Sequence, residues 1–179
     1  MIKSNEAFLL GATIKLRNLM ITDLDGDYAW WLNDQEVVKF NSHGRFPVSK
    51  NEILDFIENS TRNQCQIILA IIDIKSNKHI GNISLQKINW VDRSAEIAFL
   101  LGDREFHSKG IMFEAGTLFI NHAFNSLNLH RVYCGTSSEN IAMQKLAIKL
   151  GMIQEGVRKQ AIFNNGFYHD IIEYGLLNL

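Results

Sequence analysis

The stretch Ser94–Ala115, SAEIAFLLGDREFHSKGIMFEA, gathers the residue types best placed to do chemistry. A strand-like run passes through a polar loop, Asp103 to Gly110, straight into a helix whose first turn is Gly110-Ile111-Met112. Such a junction leaves several backbone N–H groups unpaired at the positive end of a helix dipole, which suits a phosphate or pyrophosphate. Gly110 allows close approach of the backbone, and Lys109 adds a flexible charge. The loop carries neither the GxxxxGK[ST] nor the GxGxxG pattern, so the residues alone leave an ordinary strand-to-helix turn equally open. Glu96 stands in the same strand among Ile97, Ala98, Phe99, Leu100 and Leu101. A carboxylate in that company is costly to bury unless it is paired or functional. The alternatives are a proton-accepting base and a strand-end Glu paired with Arg93 or another cation.

Other candidates carry less. Asp23, Asp25, Asp27, Asp34 and Glu36 form an acidic stretch without Lys or Arg between Ile21 and Val38. It could attract a cationic amine, but helix capping and a solvated face account for it as well. In the loop NSHGRFP, His43 and Arg45 could meet a sugar-nucleotide phosphate or a carboxylate; a plain surface turn explains them too. Phe163, Phe167, Tyr168 and His169 flank a hairpin near the C-terminus. Cys65 and Cys134 lie in apolar runs and are expected to be buried small hydrophobes. The six histidines are scattered and no Cys/His cluster has zinc spacing, so no metal is expected.

The elements that must position these residues follow from spacing. Ala12–Arg17 alternates as a strand. Thr22-Asp23 is expected to cap a helix through Trp30 and Trp31, and Ser49 a second helix with Ile53, Leu54, Phe56 and Ile57 as its apolar stripe. Gln66–Ile74 is almost continuously apolar, as a strand in the middle of a sheet would be. His79–Ile88 and Arg93–Gly102 follow across short turns, which means antiparallel pairing and argues against a doubly wound nucleotide fold. A helix carrying Ile111, Ala115, Leu118, Phe119 and His122 on one face comes next. Arg131–Gly135 is then a strand, and Glu139–Leu150 a helix stopped by Gly151. Ile153–Phe163 and Phe167–Leu177 meet at Asn164-Asn165-Gly166, a strong hairpin signal. The expected fold class is mixed α+β with one central, mostly antiparallel sheet, as a single domain over 1–179.

The motifs, taken in order, resemble the GNAT superfamily of acetyl-CoA-dependent N-acetyltransferases. GDREFHSKGIMFEA is similar to its pyrophosphate loop, ENIAMQKLAIKLGM to its second motif, and EGVRKQAIFNNGFYHDIIEYGLL to its C-terminal hairpin. AWWLNDQEV resembles a segment of the ribosomal-protein-alanine and amino-sugar acetylating subgroups. The resemblance implies a sheet splayed at its centre, with helices flanking it. It implies acetyl-CoA as cosubstrate, with backbone groups of Phe99, Leu100 and Leu101 along the pantetheine arm. His107, Ser108, Lys109, Gly110, Ile111 and Met112 would wrap the pyrophosphate, and Asn140 would cap the next helix facing the cofactor arm. Glu96 would take the amine proton, directly or through water, while His43 and Arg45 would belong to the acceptor wall. The Ala142-Met143 pair lacks a serine that some subgroups have nearby, and three further positions depart from the pattern. Ser108 replaces a glycine, which is tolerable if its φ stays negative; Met112 replaces a small residue; and Ala147 stands where many members place a tyrosine that protonates the thiolate.

Composition sets the bounds. The chain has 179 residues, 46% hydrophobic, with 18 Lys plus Arg against 19 Asp plus Glu and a net charge of −1. A general nucleic-acid binder would carry a basic excess, so no nucleic-acid partner is expected. No basic leader ahead of a long apolar run opens the chain, and no apolar run is long enough to span a membrane, so the expected location is cytoplasmic. The expected activity is transfer of acetyl to a primary amine, on a protein N-terminus or a small molecule such as an amino-sugar nucleotide. A non-catalytic CoA-binding or regulatory module of the same fold is the alternative. An exposed Trp30-Trp31 pair would point to a homodimer contact or a substrate surface.

Overall fold

The computed structural model describes residues 7–41, 45–60 and 64–179. Among these described residues, eight strands form one sheet: β1 Leu9–Leu10, β2 Ile14–Asn18, β3 Ile67–Asp73, β4 His79–Asn89, β5 Ser94–Leu101, β6 Arg131–Ser137, β7 Ile153–Asn164 and β8 Phe167–Leu177. Four helices accompany them: α1 Tyr28–Trp31, α2 Lys50–Ser60, α3 Ile111–Asn125 and α4 Ile141–Lys149. The sheet order is β1-β2-β3-β4-β5-β6-β8-β7. Every pairing is antiparallel except β5 with β6. That parallel pair needs a long crossover, and α3 supplies it.

The run in β3 is apolar because both of its faces are covered. Leu69 and Ile71 pack into a core shared with α3 and α4, while Ala70 and Ile72 pack under α1 and α2. On α3, Ile111, Ala115, Phe119 and Ala123 make the buried stripe. Phe119 is fully buried, and truncating such a side chain to Ala costs about 3–5 kcal/mol. Helices α1 and α2 cover β3, β4 and part of β5 on the other face, whereas β7 stays exposed along nearly its whole length. The β7–β8 turn is a two-residue loop with Asn165 at φ 50° and Gly166 at φ 85°, the mirror-image geometry that Asn-Gly favours.

Two local expectations fail. Thr22-Asp23 does not open a helix through Trp31. A 3-10 turn at Ile21–Asp25 precedes the four-residue α1 instead, because the Asp23 carboxylate is claimed by Arg17 and by the Met20 N–H. Cys65 is exposed, since its strand begins two residues later; Cys134 is buried as expected.

Candidate active site

Strands β5 and β6 pair only from Ser94–Arg131 to Glu96–Tyr133. Beyond that point β5 stays with β4 up to Leu101, while β6 follows β8 up to Ser137. The two strands therefore part company, and the β6-facing edge of β5 from Ile97 onward keeps its backbone N–H and C=O groups off the ladder. A cleft of about 500 Å³ opens there. Phe99, Leu100, Leu101, His107, Ser108, Gly110, Ile111, Met112 and Asn140 all line it. Of the residues expected around a cofactor, Lys109 alone does not line it; its Nζ lies 5.0 Å from the centre of the Phe106 ring, which does.

Helix α3 opens into this cleft with no side chain capping its N-terminus. Gly110 occupies the cap position at φ 81°, and the first internal bond runs from the Glu114 N–H to the Gly110 carbonyl. The N–H groups of Ile111, Met112 and Phe113 are thus left for another partner. Helix α4 differs, because Asn140 caps it by accepting from the Met143 N–H at 3.1 Å. Ser108 does not keep a negative φ: it sits at 61°, in the left-handed region that costs a residue with a Cβ roughly 1–2 kcal/mol. Positive charge comes to the cleft from Lys145 and Lys149, one turn apart on α4, a pair that the loop motif gave no reason to single out.

A second cavity, of about 230 Å³, lies on the opposite face of β5 under α1 and α2. It meets the cleft at Phe99, Leu100 and Asn41, which line both. Strand β4 turns Ile83 and Leu85 toward α3, and on its other face presents Asn82, Ser84 and Gln86 to the cavity. Asn82 and Ser84 are only 7% and 6% exposed. Gln86 Nε2 donates to Ser84 Oγ at 2.9 Å. His79 Nε2 donates to Asn82 Oδ1 at 2.8 Å, while its Nδ1 faces Asp23 at 3.4 Å. Asp23 in turn receives Arg17 at 2.6 Å. Burial works against ionisation of Asp23, but Arg17, His79 and the Met20 N–H together hold its carboxyl below the usual range. Tyr28, hydrogen-bonded to Asn82, is pushed up to about 12 chiefly by burial. Sequence reasoning passed over Tyr28 and the β4 row. The available signal was three polar residues at alternate positions on a strand with strands on both sides.

Glu96 is the last residue of β5 still paired with β6, and its Oε2 meets Lys87 Nζ at 2.7 Å. It shares a face with Ala98, which lines the second cavity, but lies in a neighbouring recess with Tyr133 and Cys134. At about 3.3 Å per residue, Glu96 is roughly 10 Å along the strand from Phe99, so any proton it takes there must travel through water. Arg45 lines a separate groove with Phe40 and Asn164, and His43 falls outside the described residues. The acidic stretch is partly spoken for: Asp23 pairs with Arg17, Asp27 with Lys78 and Asp34 with Arg104. Ala147 is fully buried in the core, so that position presents no acid to the cleft. Trp30 is 74% exposed, whereas Trp31 is packed against His79.

A family profile described as "Acetyltransferase (GNAT) domain" matches residues 13–153. A putative ribosomal N-acetyltransferase of Bacillus subtilis, YdaF, is 34% identical over 97 residues, 54% of this chain and 52% of the relative, so the match spans about half of each. YjcK, a probable N-acetyltransferase of the same organism, is 25% identical over 177 residues, covering 95% of this chain and 97% of that one. Among solved structures, spermidine N-acetyltransferase from Vibrio cholerae in complex with CoA and spermine superposes with a TM-score of 0.84. It is 24% identical and covers 93% of this chain and 96% of that one. Among the described residues, no helix is long and apolar enough to cross a membrane.

Proposed function

The chain belongs to the GNAT acetyltransferase family, and on that footing we propose that it transfers acetyl from acetyl-CoA to a primary amine. The observation that carries this reading is the uncapped N-terminus of α3 opening into the cleft where β5 and β6 separate. A polyanionic cosubstrate with a long amide-bearing arm needs both of these: N–H groups at a positive dipole end, and a strand edge free to bond amides. Lys145 and Lys149 add charge beside the same cleft. The amine would enter from the second cavity, which reaches the cleft at Phe99 and Leu100.

In this reading the protein's residues orient the reactants and receive a proton, and none forms a covalent bond to the acetyl group. The β5 edge near Phe99 and Leu100 holds the acetyl group in line with the amine and offers N–H groups to the carbonyl oxygen as it gains charge. The amine nitrogen bonds to the acetyl carbon, the carbon–sulfur bond breaks, and the sulfur departs with the electron pair. The proton lost by the nitrogen passes through water toward Glu96. The proteins named above include a putative ribosomal N-acetyltransferase and a spermidine N-acetyltransferase, which favour amine acceptors without choosing among them. The test is amine-dependent release of thiol from acetyl-CoA, with the acetylated amine identified by mass. Matching amounts of thiol and product support the proposal. Saturable CoA binding without transfer to any amine would instead favour a CoA-binding module.

A further inference from the structure

The cavity under α1 and α2 has a chemistry of its own. Among the described residues its one carboxylate is Glu52, whose Oε2 already accepts from the Ser49 N–H and Oγ at 2.7 Å each, capping α2. The neighbouring recess holds Glu96, Glu155 and Glu173, and these are paired with Lys87, Arg131 and Arg158 respectively. Glu52 is exposed and has no cationic partner, so it could meet one ammonium group at the rim, but neither space presents the buried, unpaired carboxylates that a second and a third would need to leave water. The polar row that β4 contributes, Asn82, Ser84 and Gln86, is neutral. Ser84 Oγ accepts from Gln86 and the Tyr28 oxygen accepts from the Asn82 amide, so the hydroxyl hydrogens of both are directed elsewhere. Such hydroxyls suit the oxygen of an alcohol or amide. The rest of the wall is apolar, with Leu32, Ile53, Phe56 and Ile68. At about 230 Å³ the cavity is smaller than the roughly 300–1,000 Å³ that encloses a drug-sized ligand.

We propose that this cavity selects a small primary amine whose body is uncharged and bears hydroxyl or amide oxygens, either free or as the first residue of a peptide. Tyr28, Ser84 and Gln86 are its specificity determinants, and a polyamine is a poor acceptor. The proposal rests on the acetyl-transfer reading above and deepens it.

The test compares kcat/KM for glucosamine, a serine-leading tripeptide and spermidine, using the full chain with saturating acetyl-CoA. At least one neutral-bodied amine is expected to exceed spermidine by about tenfold or more. Whether glucosamine or the tripeptide leads distinguishes a free acceptor from a peptide. Gln86→Glu places a carboxylate on the half-buried wall and should shift the ratio toward spermidine by about fivefold. Ser84→Ala, which needs no new charge to be accommodated, should lower kcat/KM for the neutral amines by more than it lowers that for spermidine. A wild-type preference for spermidine, or a ratio unmoved by both variants, overturns the proposal while leaving acetyl transfer intact. Transfer to none of the three, with acetyl-CoA bound, overturns the acetyl-transfer reading and this proposal together.

Discussion

Glu96 carries two distinct claims that separate under mutation. Its contact with Lys87 is an ion pair whose lysine is largely exposed, worth at most about 1 kcal/mol, so Glu96→Gln should barely move the unfolding midpoint. If the carboxylate receives the amine proton through water, the same change should lower kcat by roughly 10²-fold or more at neutral pH and leave the KM for acetyl-CoA unchanged. Turnover unaltered across pH would remove Glu96 from the mechanism. Asp23 governs a different property. Its folded-state pKa is depressed, so its contribution is present at all pH values above the unfolded carboxyl, near 4, and is lost as pH falls through and below that value. Asp23→Asn, which leaves Arg17 buried without its charge partner, should cost on the order of 3 kcal/mol at pH 7 by chemical denaturation. The cost should shrink below about pH 4, where wild type loses the same term.

Helix α3 is the element on which the cosubstrate claim turns. A Cβ on Gly110 would meet nothing within 4 Å, so Gly110→Ala brings no clash and acts only through its φ of 81°. The expected loss is about 1–2 kcal/mol of stability by denaturation, with a matching weakening of CoA binding by calorimetry as the cap relaxes. Much of this element was open to sequence reasoning, because Gly110 and the apolar stripe from Ile111 to Phe119 are local signals, as the Asn165-Gly166 turn is for the β7–β8 hairpin. The splay was expected only by resemblance; no residue in β5 or β6 announces where two strands stop pairing. The acceptor wall stayed hidden for a related reason. Asn82, Ser84 and Gln86 resemble a solvated strand face until α1 and α2 are known to cover it. Asp23 misled because its carboxylate turns back to the Met20 N–H and to Arg17, six residues upstream, and so caps a short 3-10 turn rather than a longer helix. Ser108 holds a positive φ because the loop geometry, rather than its own preference, sets the turn.

At the scale of the molecule the near-zero net charge still matters, though less simply than composition alone suggested. Overall charge cannot draw in a polyanion, yet Lys145 and Lys149 supply local charge beside the α3 N-terminus. Backbone N–H groups fixed by the fold are screened less than mobile surface cations. Raising salt from about 50 to 200 mM costs a protein with many phosphate contacts roughly 10³–10⁵ in affinity; here the CoA dissociation constant should rise by less than about tenfold. A steeper dependence would transfer the role of phosphate binding from the loop to the lysines. The central claim is spatial: one cleft for the cosubstrate, one cavity for the amine, joined across β5. A crystal structure of this chain with CoA bound tests it most directly. Phosphate oxygens are expected against the N–H groups of Ile111, Met112 and Phe113, and the sulfur at Phe99–Leu100 facing the cavity that Asn82 and Ser84 line. A sulfur ending anywhere else, or phosphates held away from α3, would contradict it.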